Sequence, residues 1–256
     1  MVRTSAGQFL RVQDPPEELL DALRETPPSG SETALYLERF SSEIASREEQ
    51  DGHSRWPRDH RRVALIGSGP VLDELSSALE ELGVELHRFA SAQGLMSSLE
   101  GTRDGTGFEL ILAYADSPQE HAEWAPIDAL SQSGCAWLRA YREGEVYFVD
   151  PLSMSPEDAS SEQVTRRRLA ASPTPGPLSL WRDQSPRPST PEPASARILV
   201  VARLLGMALA WAQGADEVAN YRRTLWKFVS PTGTVSTHTA LGYQAPHRPD
   251  RSTVRP

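Results

Sequence analysis

Cysteine is almost missing from this chain of 256 residues, which has only Cys135. A lone thiol excludes an internal disulfide and a thiolate-rich zinc site built from this chain alone. The six histidines (His53, His60, His87, His121, His238 and His247) show no metal-ligand spacing. There is no HExxH, no nucleophile elbow and no P-loop. Positive charge is also scarce, with 26 Lys and Arg against 35 Asp and Glu and a net charge of -9. Generic binding to a nucleic-acid backbone relies on a positive surface field, so no nucleic-acid partner is expected. The longest apolar run, ILVVARLLGMALAWA from Ile198 to Ala212, is short for a membrane span and is interrupted by Arg203. The N-terminus, MVRTSAGQFLRVQ, lacks the apolar core of a secretory signal. The expectation is a soluble, cytoplasmic protein without a membrane partner.

What is present is most informative between Arg62 and Phe89, RRVALIGSGPVLDELSSALEELGVELHRF counted from Arg61. An apolar run, Val63 to Ile66, leads into a glycine turn at Gly67 and Gly69. An amphipathic stripe follows (Leu72, Leu75, Leu79, Leu82), then a glycine stop at Gly83 and a second apolar run at Val84 and Leu86. This is strand, turn, helix and strand, the opening of a doubly wound parallel sheet. Phe108 to Asp116 (FELILAYAD) reads as a central strand buried on both faces. CAWLRAY and REGEVYFVDPL give a fourth and a fifth strand, with a turn at Glu143-Gly144. The segment Pro118 to Ser131 reads as a polar helix, and Glu162 to Ala171 as another.

The rest of the chain divides by composition. Residues 1–50 form a small N-terminal unit. Phe9 to Val12 make one short strand, a helix follows Asp14 and Pro15, and a second helix runs from Ser31 and Glu32 through Leu35, Leu37, Phe40 and Ile44. Residues 51–61 read as a linker, the end of a charged, aperiodic stretch from Arg47. The main domain spans residues 62–248. Seven prolines lie between Pro173 and Pro193, so residues 173–193 are expected to be a long loop. The helix at 196–213 is apolar nearly all round and is expected to be core. A hairpin follows, with strands Leu225 to Val229 and Thr234 to Thr239 around Pro231-Thr232-Gly233. Residues 249–256 read as a frayed tail.

The glycine turn falls short of a dinucleotide fingerprint. That fingerprint needs a small residue where Leu72 stands, and Pro70 removes a backbone donor near the helix start. The second strand ends in His87-Arg88-Phe89 without a carboxylate for ribose hydroxyls. Arg88 could instead meet a 2′-phosphate. The simpler reading is that glycine lets the chain turn. Asp116, at the end of the central strand, is placed either to hold a ligand or to cap the next helix. Arg166-Arg167-Arg168 and Arg222-Arg223 read as solvated faces, or as a dock for an acidic peptide.

The order and spacing of these stretches resemble one family. VALIGSGPVLDELSSALEELGVEL, FELILAYADSP, SGCAWLRAYREGEVYFVDPL, the 196–213 helix with Gly214, and the hairpin ending ALGYQAPHRP together resemble the partner protein of thiazole/oxazole-modified peptide biosynthesis. That family is related in fold to ubiquitin-activating enzymes and to ThiF and MoeB. The resemblance covers residues 62–248. It implies an α/β fold with an open, mostly parallel sheet of the adenylating-enzyme type, preceded by a small helical, reduced winged-helix-like unit. It implies a non-catalytic chain that binds a precursor's leader peptide and a YcaO-type cyclodehydratase, which itself consumes the ATP. Two Cys-x-x-Cys pairs common in the family, near 160–164 and 246–249, are missing here, so no zinc and no other cofactor is expected. A leader peptide that adds a strand to the N-terminal unit would meet Phe9, Leu10, Val12, Leu35, Leu37 and Phe40. Two other readings stand beside this one: a nucleotide-dependent oxidoreductase or adenylating enzyme using Gly67, Gly69 and Arg88, and a structural subunit of a larger complex. A homo-oligomer is left open.

Overall fold

The computed structural model describes residues 2–3, 9–10, 32–99, 107–185 and 191–243. The chain divides into two compact units, Met1–Pro57 and Arg58–Pro256. The boundary falls inside the stretch expected to be a linker.

In the first unit, β1 (Val2–Arg3) and β2 (Phe9–Leu10) pair antiparallel, with Val2 opposite Leu10. The sequence offered one strand here, and the second supplies its partner. Helix α1 spans Glu32–Arg55. It begins where expected but runs nine residues into the charged stretch from Arg47, which corrects the linker reading for residues 51–55. Charged periodicity is weak there, yet Arg, Glu and Gln favour helix by backbone propensity alone. The helix proposed after Asp14, and Val12, lie outside the described residues.

The second unit is an α/β sandwich on a sheet of seven strands. In chain order these are β3 (Arg62–Ile66), β4 (Glu85–Phe89), β5 (Leu110–Ala115), β6 (Ala136–Glu143), β7 (Val146–Val149), β8 (Thr224–Val229) and β9 (Thr234–Thr239). Their order across the sheet is β4-β3-β5-β6-β7-β8-β9. The first four are parallel, and β7, β8 and β9 continue antiparallel, so five strands point one way and two the other. The open, mostly parallel α/β sheet expected from the sequence is therefore present. β5 is buried at every position, as a central strand between two helical layers must be.

Helix α2 (Pro70–Glu81) turns Val71, Leu72, Leu75, Ser76 and Leu79 inward and packs against α8 (Ala194–Ala212). The opposite face of the sheet is covered by α3 (Ala92–Leu99), α4 (Pro118–Ala122), α5 (Ala125–Asp128) and α6 (Ser161–Ala170). That layer meets Ile66, Ile111, Ala113, Trp137, Tyr141 and Phe148 of the sheet. The expected single helix over 118–131 is broken in two, with Pro126 in the first turn of α5, and is followed by a short 3-10 turn at Leu130–Ser133. A short helix α9 (Val218–Tyr221) leads into β8.

Two expectations fail for clear reasons. Residues Pro175–Gln184 form helix α7 rather than a loop. Pro175 and Pro177 fall in its first turn, where the backbone N–H groups have no intrahelical acceptor and proline costs nothing. Helix α8 is not core all round. Ala196, Val200, Leu204, Met207, Ala208 and Trp211 are buried, but Ile198 is 60% and Leu199 37% exposed. Helix α8 is also the one described helix long and apolar enough to cross a membrane by length and composition, and its buried stripe is packed on the sheet and α2.

Candidate functional site

In an open α/β sheet a ligand crevice forms at the carboxyl ends of the strands, where the strand order reverses. Here that point lies beside β3, flanked by β4 and β5. A crevice of about 230 Å³ opens there, between the Ile66-Gly67-Ser68 turn, Ala90 to Ala92 after β4, Tyr114 at the end of β5, and Glu120, Glu123 and Trp124.

The turn is shaped by packing. Gly67 has φ 114°, donates its N–H to Phe89 O at 2.9 Å, and leaves no room for a Cβ, which would collide with Tyr114 O. The Leu72 side chain sits against the same point. Gly69 has φ 103° and precedes Pro70, and nothing crowds its missing side chain. Both glycines therefore serve the backbone: one admits the neighbouring strand, and both adopt a conformation that L-residues rarely hold. Arg88, the residue suited to a 2′-phosphate, pairs with Asp73 instead.

The crevice walls are acidic. Among the lining residues there is no lysine or arginine, while Glu120 and Glu123 face it. A Glu120 carboxylate oxygen accepts the Asp116 N–H at 2.9 Å. A nucleotide's phosphates would meet like charge without a counter-cation, and these residues do not fit a triphosphate. Among the described residues no group of three or more His, Cys, Asp or Glu side chains could hold a metal.

Asp116 does not cap the next helix. Ser117 does, accepting the Glu120 N–H at 3.3 Å. Asp116 instead meets Arg142 Nε at 2.9 Å. Beside it the Tyr114 hydroxyl donates to Glu192 at 2.9 Å. Burial, and then the Glu192 charge, push the Tyr114 phenol far above its ordinary range, and burial raises Glu192 in spite of that hydrogen bond.

Behind the crevice lies a charged knot. Arg139 of β6 is fully buried and reaches four acceptors. Its Nε donates to Asp150 at 2.9 Å, and its terminal nitrogens donate to Asp128 at 3.3 Å, Ser153 Oγ at 3.2 Å and Ala159 O at 2.8 Å. Asp128 also accepts from the Trp137 indole at 3.1 Å and the Ser161 hydroxyl at 2.6 Å. Burial pushes the Asp150 carboxyl up, against the pull of Arg139. Alongside, His121 stacks on Tyr141 with ring centres 4.0 Å apart, and its Nδ1 accepts from Arg182 at 3.1 Å. Burial, and then the Arg182 charge, hold His121 well below the ordinary histidine range, so the ring is neutral. Arg168 and Arg182 both pair with Glu143. Every charge in this knot is partnered, which is how charged groups survive burial. It ties β6 to the segments before and after it.

The sequence reading passed over Arg139 and Arg142. The signal was there: two arginines in an apolar strand must find buried partners. Three residues apart on a strand, they point to opposite faces, Arg139 into the knot and Arg142 toward Asp116.

The expected peptide-binding residues are only partly united. On α1, Leu37, Phe40 and Ile44 share one stripe, where Phe40 stacks with Tyr36 at 6.4 Å. Leu35 points to the other side of the helix and is 52% exposed. Phe9 and Leu10 form β2.

No family model matches the chain, and no curated protein does. Solved structures do. A heterocyclase in complex with substrate and cofactor is similar over 89% of this chain and 32% of its own, at TM-score 0.52 and 14% identity. This chain therefore spans about a third of that heterocyclase. A chain of the E. coli microcin synthetase McbBCD complex is similar over 90% of this chain and 87% of its own, at TM-score 0.51 and 11% identity. E. coli MccB is similar over 75% and 65%, at TM-score 0.52 and 9% identity. At such identities the likeness is one of fold, and the fold is α/β of the adenylating-enzyme type.

Proposed function

We propose that this chain is a non-catalytic, cytoplasmic partner protein in a ribosomal peptide-modification pathway. It binds a precursor's leader peptide, a YcaO-type cyclodehydratase, or both, and supports azoline and azole formation that the cyclodehydratase performs. The observation that carries this reading is the strand-end crevice, which keeps the adenylating-type architecture but is lined by carboxylates without a cation. Adenylation concentrates negative charge at the phosphates, and positive or dipolar groups must be aimed at it. Support also comes from the company this fold keeps. The similar structures are a heterocyclase, a microcin synthetase complex and MccB.

The test is native mass spectrometry on the tagged protein, purified gently from its own host. A co-purifying cyclodehydratase or short precursor peptide, without nucleotide, is the expected result. A bound nucleotide with neither of these overturns the reading in favour of a nucleotide-dependent enzyme. Once a leader peptide is in hand, single alanine changes locate it. Loss at Leu37 or Phe40 places it on the helix stripe, and loss at Leu35 alone places it on the exposed side. Unchanged affinity at Phe9, Leu10, Val12, Leu35, Leu37 and Phe40 removes this unit from peptide binding.

A further inference from the structure

The antiparallel end of the sheet carries a second surface. β9 pairs with β8 on one side, and among the described residues no strand pairs with its other side. Its sequence, TVSTHT, holds no lysine, proline or glycine, the residues that usually blunt an edge, and five of its six residues are exposed. Next to it lies a groove of about 440 Å³ between α6 and the sheet. Phe148 stands opposite Lys227, and Leu225 opposite His238, so these four side chains share the face that forms the floor. Arg167 and Arg168 come from α6 as the wall.

The groove's charge is the reverse of the protein's. Three cations and a histidine line it, and not one lining residue is a carboxylate, in a chain of net charge -9. Arg168 is engaged with Glu143 and lies 3.6 Å over the Phe148 ring. Lys227 and Arg167 are half-buried, and His238 is exposed.

We propose that the β9 edge and this groove take an extended acidic peptide segment of a partner. The segment adds a strand to β9 through its backbone. On an added strand every second side chain faces the groove, so carboxylates at alternate positions lie beside His238 and within reach of the long Lys227 and Arg167 side chains, while Phe148 and Leu225 form the groove floor beyond them. All residues of this site belong to the second unit, and the proposal does not depend on the function proposed above.

The experiment uses the full chain and a fluorescein-labelled peptide of alternating glutamate and valine, with fluorescence anisotropy and hydrogen exchange read together. Expected are saturable binding that weakens as salt is raised, and slowed exchange at the amides of residues 234–239. A K227E/R167E double variant should lose about tenfold or more in affinity. Lys227→Gln, which keeps most of the side-chain stem, should lose a smaller part and covers the case in which the double variant folds poorly. The matching lysine–valine peptide should leave the β9 amides unprotected. The proposal is overturned if the acidic peptide does not bind, if it binds without protecting β9, or if charge reversal leaves its affinity unchanged. None of these results bears on whether a cyclodehydratase co-purifies.

Discussion

The crevice at the strand ends and the groove at the antiparallel end stand on one sheet, yet their linings carry opposite charge. Glu120 and Glu123 face the first, while Arg167, Lys227 and His238 face the second. The crevice lies at the strand ends beside the glycine turn, and no lysine or arginine is among its lining residues. The groove lies away from that position and concentrates the cations. A fold can keep its frame while the place suited to binding moves, because strand order is set by backbone pairing and apolar burial, whereas a site depends on a few side chains.

This contrast can be tested by altering what holds each part in place. The largest effect is expected from the buried knot that supports β6 between the two regions. Arg139→Met leaves Asp150 and Asp128 without their cation and should cost about 3–5 kcal/mol in chemical denaturation. Adding Asp150→Asn to that variant should recover part of the loss. Next is the turn. Gly67→Ala meets both an adverse φ and the Tyr114 carbonyl and should cost about 2–4 kcal/mol. Gly69→Ala meets only the adverse φ and should cost about 1 kcal/mol. Equal, negligible costs at both would show that the turn relaxes freely, and would reopen a ligand-binding reason for the glycines.

The third effect depends on pH. His121 is neutral in the folded protein, with its pKa below the unfolded value of about 6.5. Its contribution is whole above that value. As pH falls below it, the unfolded chain takes a proton that the folded chain refuses, and stability drops by up to about 1.4 kcal/mol per pH unit until the folded pKa is reached. His121→Phe should flatten the difference in unfolding free energy between pH 7.5 and pH 5.5. An identical pH profile in the variant would place the proton uptake elsewhere. The smallest effect is expected in the crevice, where Glu123→Gln should change stability by no more than about 0.5 kcal/mol, because Glu123 is exposed.

Legibility followed the range of the interactions. The strand, turn and helix from Arg62 to Phe89 could be read directly, because period-two and period-3.6 apolar patterns are local. The hairpin around Gly233 could be read for the same reason, and the buried run of β5 announced a central strand. The helix at Pro175–Gln184 was missed because prolines were counted and their place in the first turn was not. The exposed side of α8 was missed because an apolar helix does not reveal which of its faces a neighbour covers. The Arg139 knot was missed because its acceptors, Asp128, Asp150, Ser153 and Ala159, come from separate segments.

By itself the sequence determined the α/β class, the order of the strands along the chain, the glycine turn and its departures from a dinucleotide fingerprint, and the overall acidity. These follow from backbone propensities and apolar periodicity, which act over a few residues. Only the tertiary structure decided that Arg88 is spent on Asp73, that Asp116 turns to Arg142 rather than capping a helix, and that His121 is buried neutral. It also brought Arg167 of α6 beside Lys227 and His238 of the final hairpin. Charge at a site is set by which side chains packing brings within a few ångströms and which of them it buries, and neither is written in local sequence.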